Sequence, residues 1–401
     1  MGNIRDAFVH VNSSARIPEL DGIRGIAIAM VVMWHYFVSP VVPTRGTLLY
    51  YLHAAGYLTW TGVDLFFVLS GFLIGGILLD SREAPNYFRV FYLRRFFRIV
   101  PLYVVWLALT CLVLHAVQVG LFPASFRSLL RDRFTMIPYA FYLQNFWMAA
   151  RNNLGGYSSG GTWSLAIEEQ FYLTLPLIIR FAARRRLVWI IAAGIAAAPL
   201  LRIIIFFLSP HHRMAAFVLM PCRADSLLLG VLGALLVRDD GWRTKLQKNR
   251  VAHTVLLIIL IFGAGWLSKH GVGQLTLQMS SVGYTWMAAF YLCVLLFALV
   301  HPGSWLGSCL RWRWLRWLGT IAYGVYLFHM PILLAINALV WNSPLEEIRN
   351  IGGVIANVAA LALTLLVCRV SWIYFEKPLI GIGHRATFKP APHPEADRVF
   401  A

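Results

Sequence analysis

Runs of about 18 or more apolar residues recur along the whole 401-residue chain. No other feature constrains the fold as strongly. A helix of that length fits the hydrocarbon core of a bilayer, and it satisfies its own backbone groups where water is absent. Ten such helices are expected, at about 22–42, 61–80, 100–121, 165–182, 187–208, 221–237, 251–267, 281–300, 318–340 and 351–375. With 59% hydrophobic and 13% charged residues, the chain lacks the charged surface of a soluble domain of this size. The expected fold class is all-α, a polytopic integral membrane protein.

The charge distribution orients the spans. Of the 35 Lys and Arg, 23 fall in segments on the side of the N-terminus and 9 on the other side. The positive-inside rule then puts both termini in the cytoplasm, and it accounts for the net charge of +18 without a nucleic-acid partner. The first twenty residues are polar and no cleavage site follows an apolar core, so the first span is expected to remain as an anchor. The expected organisation is a cytoplasmic tail at 1–15, a transmembrane domain at 16–380 and a disordered cytoplasmic tail at 381–401. The five cysteines are scattered and form no CxxC pair, so neither a metal site nor a disulfide framework is expected. The outer connection 122–164 is rich in Tyr, Phe, Trp, Gly and Ser, and long enough to be a folded lid or binding loop.

Ionisable residues at membrane depth are costly and usually functional. The first helix carries Arg24 near its cytoplasmic end and His35 past the middle, close to three turns apart. The second, "TGVDLFFVLSGFLIGG", carries Asp64 near its outer end and Ser70-Gly71 at mid-depth. Arg94, Arg95 and Arg98 cluster in the next cytoplasmic loop among aromatic residues; guanidinium forks suit phosphates. "GGTWSLAIEEQFY" brings Glu168 and Glu169 in from the outer side, and the ninth helix places His329 beside Tyr323 and Tyr326. Each residue also has a structural reading: a snorkelling arginine, a bonded core histidine, an ion pair or close glycine packing. Taken together, phosphate-binding groups lie inside and carboxylates with a histidine lie in the outer half. That arrangement suits a reaction between an anionic donor from inside and an acceptor from outside.

These stretches resemble the membrane-bound acyltransferase-3 family of O-acyltransferases, over about residues 16–380. The resemblance rests on LDGIRGIAI with the R-x10-H of Arg24 and His35, on GVDLFFVLSGFLI, on the R-x-x-R of Arg95 and Arg98, on TWSLAIEEQFY, and on YGVYLFHMPI with the later YFEKP. It implies ten helices in a bacterial cytoplasmic membrane, acetyl-CoA or another acyl-CoA as donor, and transfer to a hydroxyl of a carbohydrate or glycolipid acceptor such as lipopolysaccharide or another polysaccharide. It also implies that His35 is the essential histidine, that Arg24 is its paired arginine, and that Arg95 and Arg98 serve the donor. The chain resembles the form that stands alone, without a fused SGNH hydrolase-like domain.

On this reading Arg24, Arg95, Arg98 and the Ser70-Gly71 face bind the donor. His35 acts as general base or as an acyl relay, tuned by Glu168 or Asp64. Glu169, Trp163, Trp147 and Tyr157 face the acceptor. Membrane lipid is the remaining expected partner, and the oligomeric state is not encoded. Two other classes compete: a transporter or flippase of an anionic sugar or lipid, and a non-catalytic scaffold. No paired inverted repeats support the transporter, and a scaffold leaves His35, Glu168 and Glu169 unexplained.

Overall fold

A computed structural model describes residues 17–43, 45–123, 125–127, 135–343, 347, 348 and 350–390. All regular elements among them are helical. The ten long ones are α1 (Pro18–Met33), α2 (Gly62–Asp80), α3 (Tyr87–Gln118), α4 (Trp163–Phe181), α5 (Arg184–Leu208), α6 (Met220–Arg238), α7 (Arg250–Lys269), α8 (Tyr284–Val300), α9 (Arg313–Trp341) and α10 (Ile351–Ser371). Nine helices among the described residues are long and apolar enough to cross a membrane. The other member of the ten is α4, whose 19 residues include Glu168, Glu169 and Arg180 and so dilute its apolar character.

Burial sorts the helices into an inner and an outer set. In the most apolar stretch of the segments containing α2 and α8, 67% of residues are buried, against 17% for α5 and 22% for α7. The outer helices turn large apolar side chains outward, among them Trp189, Phe207 and Phe262, as a lipid-facing surface requires. Two crossings bring backbones together. A Cβ at Gly71 of α2 would sit 1.9 Å from the Leu227 carbonyl of α6, and one at Gly319 of α9 would sit 2.0 Å from the Asp21 carbonyl of α1. Only glycine permits such an approach.

Arg202 of α5 shows what a satisfied charge looks like in this interior. It donates to Ser280 O (2.7 Å), Cys222 O (2.5 Å), Asp225 Oδ2 and Thr285 Oγ1 (both 2.9 Å). Asp225 also accepts from Thr285 Oγ1 (2.5 Å), so Arg202, Asp225 and Thr285 form one network.

Two boundaries differ from the sequence reading. First, α3 begins at Tyr87, so Arg94, Arg95 and Arg98 lie inside a helix and not in a loop. No glycine or proline interrupts 87–100, and the helix propagates through it. Second, the tail expected to be disordered from 381 starts with the helix Lys377–His384, and Arg94 Nε donates to Ala386 O (2.9 Å) and lies over the Phe388 ring. The rest of that tail, 391–401, and residues 1–16 lie outside the described residues. The described part of the connection before α4, read from the sequence as a folded lid or binding loop, contains the short helices Met136–Ala140 and Gln144–Arg151. Gln144 Nε2 donates to Thr162 O, Gln170 Nε2 to Tyr142 O, and Asn152 Oδ1 accepts from Met214 N.

Candidate functional site

Two cavities lie along α1, one reached by Arg24 and the other by His35. Eleven residues at about 1.5 Å each put the two side chains about 16 Å apart along the helix. Val63 and Tyr326 line both cavities and stand where they meet. Tyr326 is held there by donating to Gly161 O (2.6 Å) and by a short hydrogen bond with Ser164.

The smaller cavity, about 140 Å³, is lined by Arg24, Ser70, Arg95, Arg98, Glu168, Tyr172 and Tyr323 among others. Arg95 and Arg98, three residues apart on α3, both line it, whereas Arg94 does not and donates instead to Ala386 O. Arg24 is paired with Asp21 of its own helix (2.9 Å). Ser70 Oγ and Tyr172 OH are 2.6 Å apart, and the Glu168 carboxylate meets both, with Arg95 and Arg24 acting on it electrostatically. Gly71 does not line this cavity: it is taken up by the α2–α6 crossing. Sequence reading gave no role to Glu376 of the YFEKP stretch, which is buried and interacts electrostatically with Arg98.

The larger cavity, about 740 Å³, is in the range of ligand sites, roughly 300–1,000 Å³. Its lining includes Trp34, His35, Trp60, Asp64, Trp163, Arg223, His329 and Asn337, together with the loop residues Asn152–Tyr157, Gly160 and Gly161. His35 sits in a π-helical turn, Trp34–Val38, that continues α1. Such one-turn π segments recur at functional sites. The turn is tied down by Asn357 Nδ2, which donates to Tyr36 O (2.5 Å), and by Tyr36 OH, which donates to His329 O (2.8 Å).

The partner of His35 is His329. Its Nε2 lies 3.3 Å from His35 Nδ1. His329 Nδ1 faces the Val325 and Tyr326 carbonyls (3.0 and 2.8 Å), so it must be the protonated nitrogen. In the uncharged pair, His329 Nε2 is then an acceptor. His35 Nδ1 carries a hydrogen shared between it and Val31 O (2.9 Å). That leaves the lone pair on His35 Nε2, which has no hydrogen-bond partner among the described residues.

The remaining expected residues fall as follows. Neither Glu168 nor Asp64 hydrogen-bonds His35: Glu168 belongs to the smaller cavity, and Asp64 forms a short ion pair with Arg223. Glu169 was expected at the acceptor, but it lines neither cavity and acts on Tyr103, Tyr142 and Tyr323. The apolar stretch of α4 turns adjacent carboxylates to different faces, and only one can face the cavity. Trp163 and Tyr157 line the larger cavity, while Trp147 backs its wall, close against Gly155 and stacked with Arg151.

Over residues 17–373 the chain matches the family described as an acyltransferase domain. It is similar to the putative peptidoglycan O-acetyltransferase YrhL of Bacillus subtilis, with 28% identity over 92% of this chain and 56% of that protein. It is also similar to peptidoglycan O-acetyltransferase OatA of Listeria monocytogenes, at 27% over 93% of this chain and 57% of that protein. O-acetyltransferase OatA of Staphylococcus aureus matches at 26%, over 92% and 58%. The chain thus spans little more than half the length of these curated relatives. No solved structure matches it. Its apolar helices and bacterial relatives identify an integral protein of the bacterial cytoplasmic membrane. Since the match runs through nearly every helix that builds the two cavities, the chain belongs to the membrane-bound acyltransferase-3 family.

Proposed function

We propose that this protein transfers an acetyl group from acetyl-CoA to a hydroxyl of an extracytoplasmic carbohydrate, with the smaller cavity serving the donor and the larger one the acceptor. The single observation that carries this reading is the His35–His329 pair, which leaves an unpartnered imidazole nitrogen in the larger cavity, next to the junction with the arginine-lined one. The relatives, peptidoglycan O-acetyltransferases and O-acetyltransferases by name, point to the same chemistry.

The donor side fits an acyl-CoA. A cavity of about 140 Å³ admits a slender chain and not a nucleotide, so the phosphates would stay at the mouth, where Arg95 and Arg98 supply charged forks. Bound there, the donor supplies an activated thioester. His35 Nε2 accepts the proton of the acceptor hydroxyl as its oxygen bonds to the acyl carbon, and the same proton then goes to the departing sulfur. Such general-base assistance contributes about 10²–10⁴-fold. His329 keeps the hydrogen of His35 on Nδ1, so the basic nitrogen faces the substrate. Ser70 and Tyr172 hold Glu168 between Arg24 and Arg95, which balances charge in the donor cavity.

The test uses membranes containing wild type or His35→Ala at matched levels, supplied with labelled acetyl-CoA. Label is expected in surface glycan from wild type, with a loss of about 10²-fold or more in the variant while donor binding persists. Equal transfer by both would overturn the role of His35.

A further inference from the structure

Resting on the donor reading of the smaller cavity, the stretch of α3 that carries Arg95 and Arg98 poses a problem of its own. Arg89, Arg94, Arg95 and Arg98 put four like charges into ten residues near the start of a helix, where fraying is easiest. One side of this stretch is held by α4: Tyr87 OH donates to Pro176 O (3.2 Å) and Tyr92 OH to Leu173 O (3.3 Å). The other side is held by the C-terminal segment. Gly383 lies so close that a Cβ there would sit 3.0 Å from Phe97 Cβ and 3.5 Å from Arg94 Cα. Beyond it, Arg94 Nε donates to Ala386 O, and its guanidinium lies 5.1 Å from the centroid of the Phe388 ring, which is buried although its neighbours are exposed. Asn86 makes the firmest link. It is the N-cap of α3, and asparagine is among the best caps, yet its side chain makes no capping bond. It is spent on the C-terminal segment instead: Nδ2 donates to Thr387 O (2.9 Å) and Oδ1 accepts from Lys389 N (3.0 Å). None of the residues 383–389 lines either cavity.

We propose that residues 383–389 clamp the first turns of α3 and so position Arg95 and Arg98 for the phosphates of the donor. Asn86, Arg94 and Phe388 are positioning residues: they act through the helix and touch no substrate. Without the clamp the two guanidinium forks keep their charge but lose their fixed placement, and phosphate recognition depends on that placement. The reaction at His35, on other helices, is unaffected once the donor is bound.

The full chain in nanodiscs is compared with a truncation after His384, which removes the polar contacts of the clamp, and with one after Pro390, which keeps every contact named above. Amide hydrogen exchange along 88–98 is expected to quicken about tenfold in the first and to match the full chain in the second. In the first, CoA affinity and KM for acetyl-CoA are expected to worsen about fivefold or more, with kcat unchanged. KM for S-acetylpantetheine, which carries no phosphate, is expected to stay the same. Asn86→Ser separates the clamp from helix capping: serine caps as well as asparagine but cannot bridge Thr387 and Lys389, so CoA binding is expected to weaken about threefold or more. Should the truncation after His384 fail to fold, Asn86→Ser decides. Full-strength CoA binding in that truncation, equal weakening of CoA and S-acetylpantetheine, or wild-type affinity in Asn86→Ser would each overturn the proposal. Failure of the donor reading looks different: exchange along 88–98 still quickens without the clamp, but no form of the protein binds CoA.

Discussion

At the scale of single residues, the His35–His329 pair makes a sharp demand. If His329 sets the tautomer of His35, its replacement by leucine lowers kcat about 10²-fold with little change in KM for either substrate. His329→Gln can place an amide oxygen near the lost Nε2, and is expected to restore part of that loss. Steady-state kinetics of the two variants, with equal melting temperatures, separates positioning from simple packing; equal damage by both would refute it. His35 and Arg24 were legible in the sequence because ionisable groups stand out in an apolar helix. The partner was not. His329 lies 294 residues away, and within its own helix it reads as a bonded core histidine. The partners of Asp64 and Glu169 were not legible for a related reason: depth along a helix is readable, but the face that a side chain presents depends on neighbours that the sequence does not order.

Among elements, the α2–α6 crossing and the π turn of α1 carry the geometry. Gly71 belongs to the crossing and Ser70 to the donor cavity, though they are adjacent. Gly71→Val is therefore expected to lower stability in detergent by about 1–3 kcal/mol or more, since its Cβ would meet backbone. Ser70→Ala is expected to weaken donor affinity without shifting the melting temperature. The same thermal assay applied to Asp225→Asn should show a loss of about 3–5 kcal/mol, because Arg202 would keep its charge in a buried site. Element existence was legible from apolar length, and so was close glycine packing in α2. The early start of α3 was not. Its first turns are arginine-rich and read as a cytoplasmic loop, yet nothing in them breaks a helix, and the segment 377–390 gives Arg94 a partner.

For the whole molecule, the account requires that the arginine-lined end of α3 and the loop before α4 face opposite sides of the membrane. Single cysteines at the exposed positions Arg89 and Arg151, with Cys309 replaced, test this. An impermeant thiol reagent outside intact cells is expected to label the cysteine at 151 and not the one at 89. In the sequence this sidedness is an expectation from the arginine and lysine bias, and the division between donor-like and acceptor-like residues is an expectation from their depth. The sequence could not convey that the division is physical. The two cavities, which share Val63 and Tyr326 in their walls, arise only when α1, α2, α3, α4 and α9 pack together.

The central claim is transfer between these cavities through His35. Sealed vesicles of known orientation, carrying wild type or His35→Ala, test it most directly when labelled acetyl-CoA is supplied to one face and glycan label is read on the other. The account predicts transfer only when donor reaches the Arg95–Arg98 face, and its loss in His35→Ala. Transfer from donor supplied to the Tyr157 face, or undiminished transfer by the variant, would contradict it.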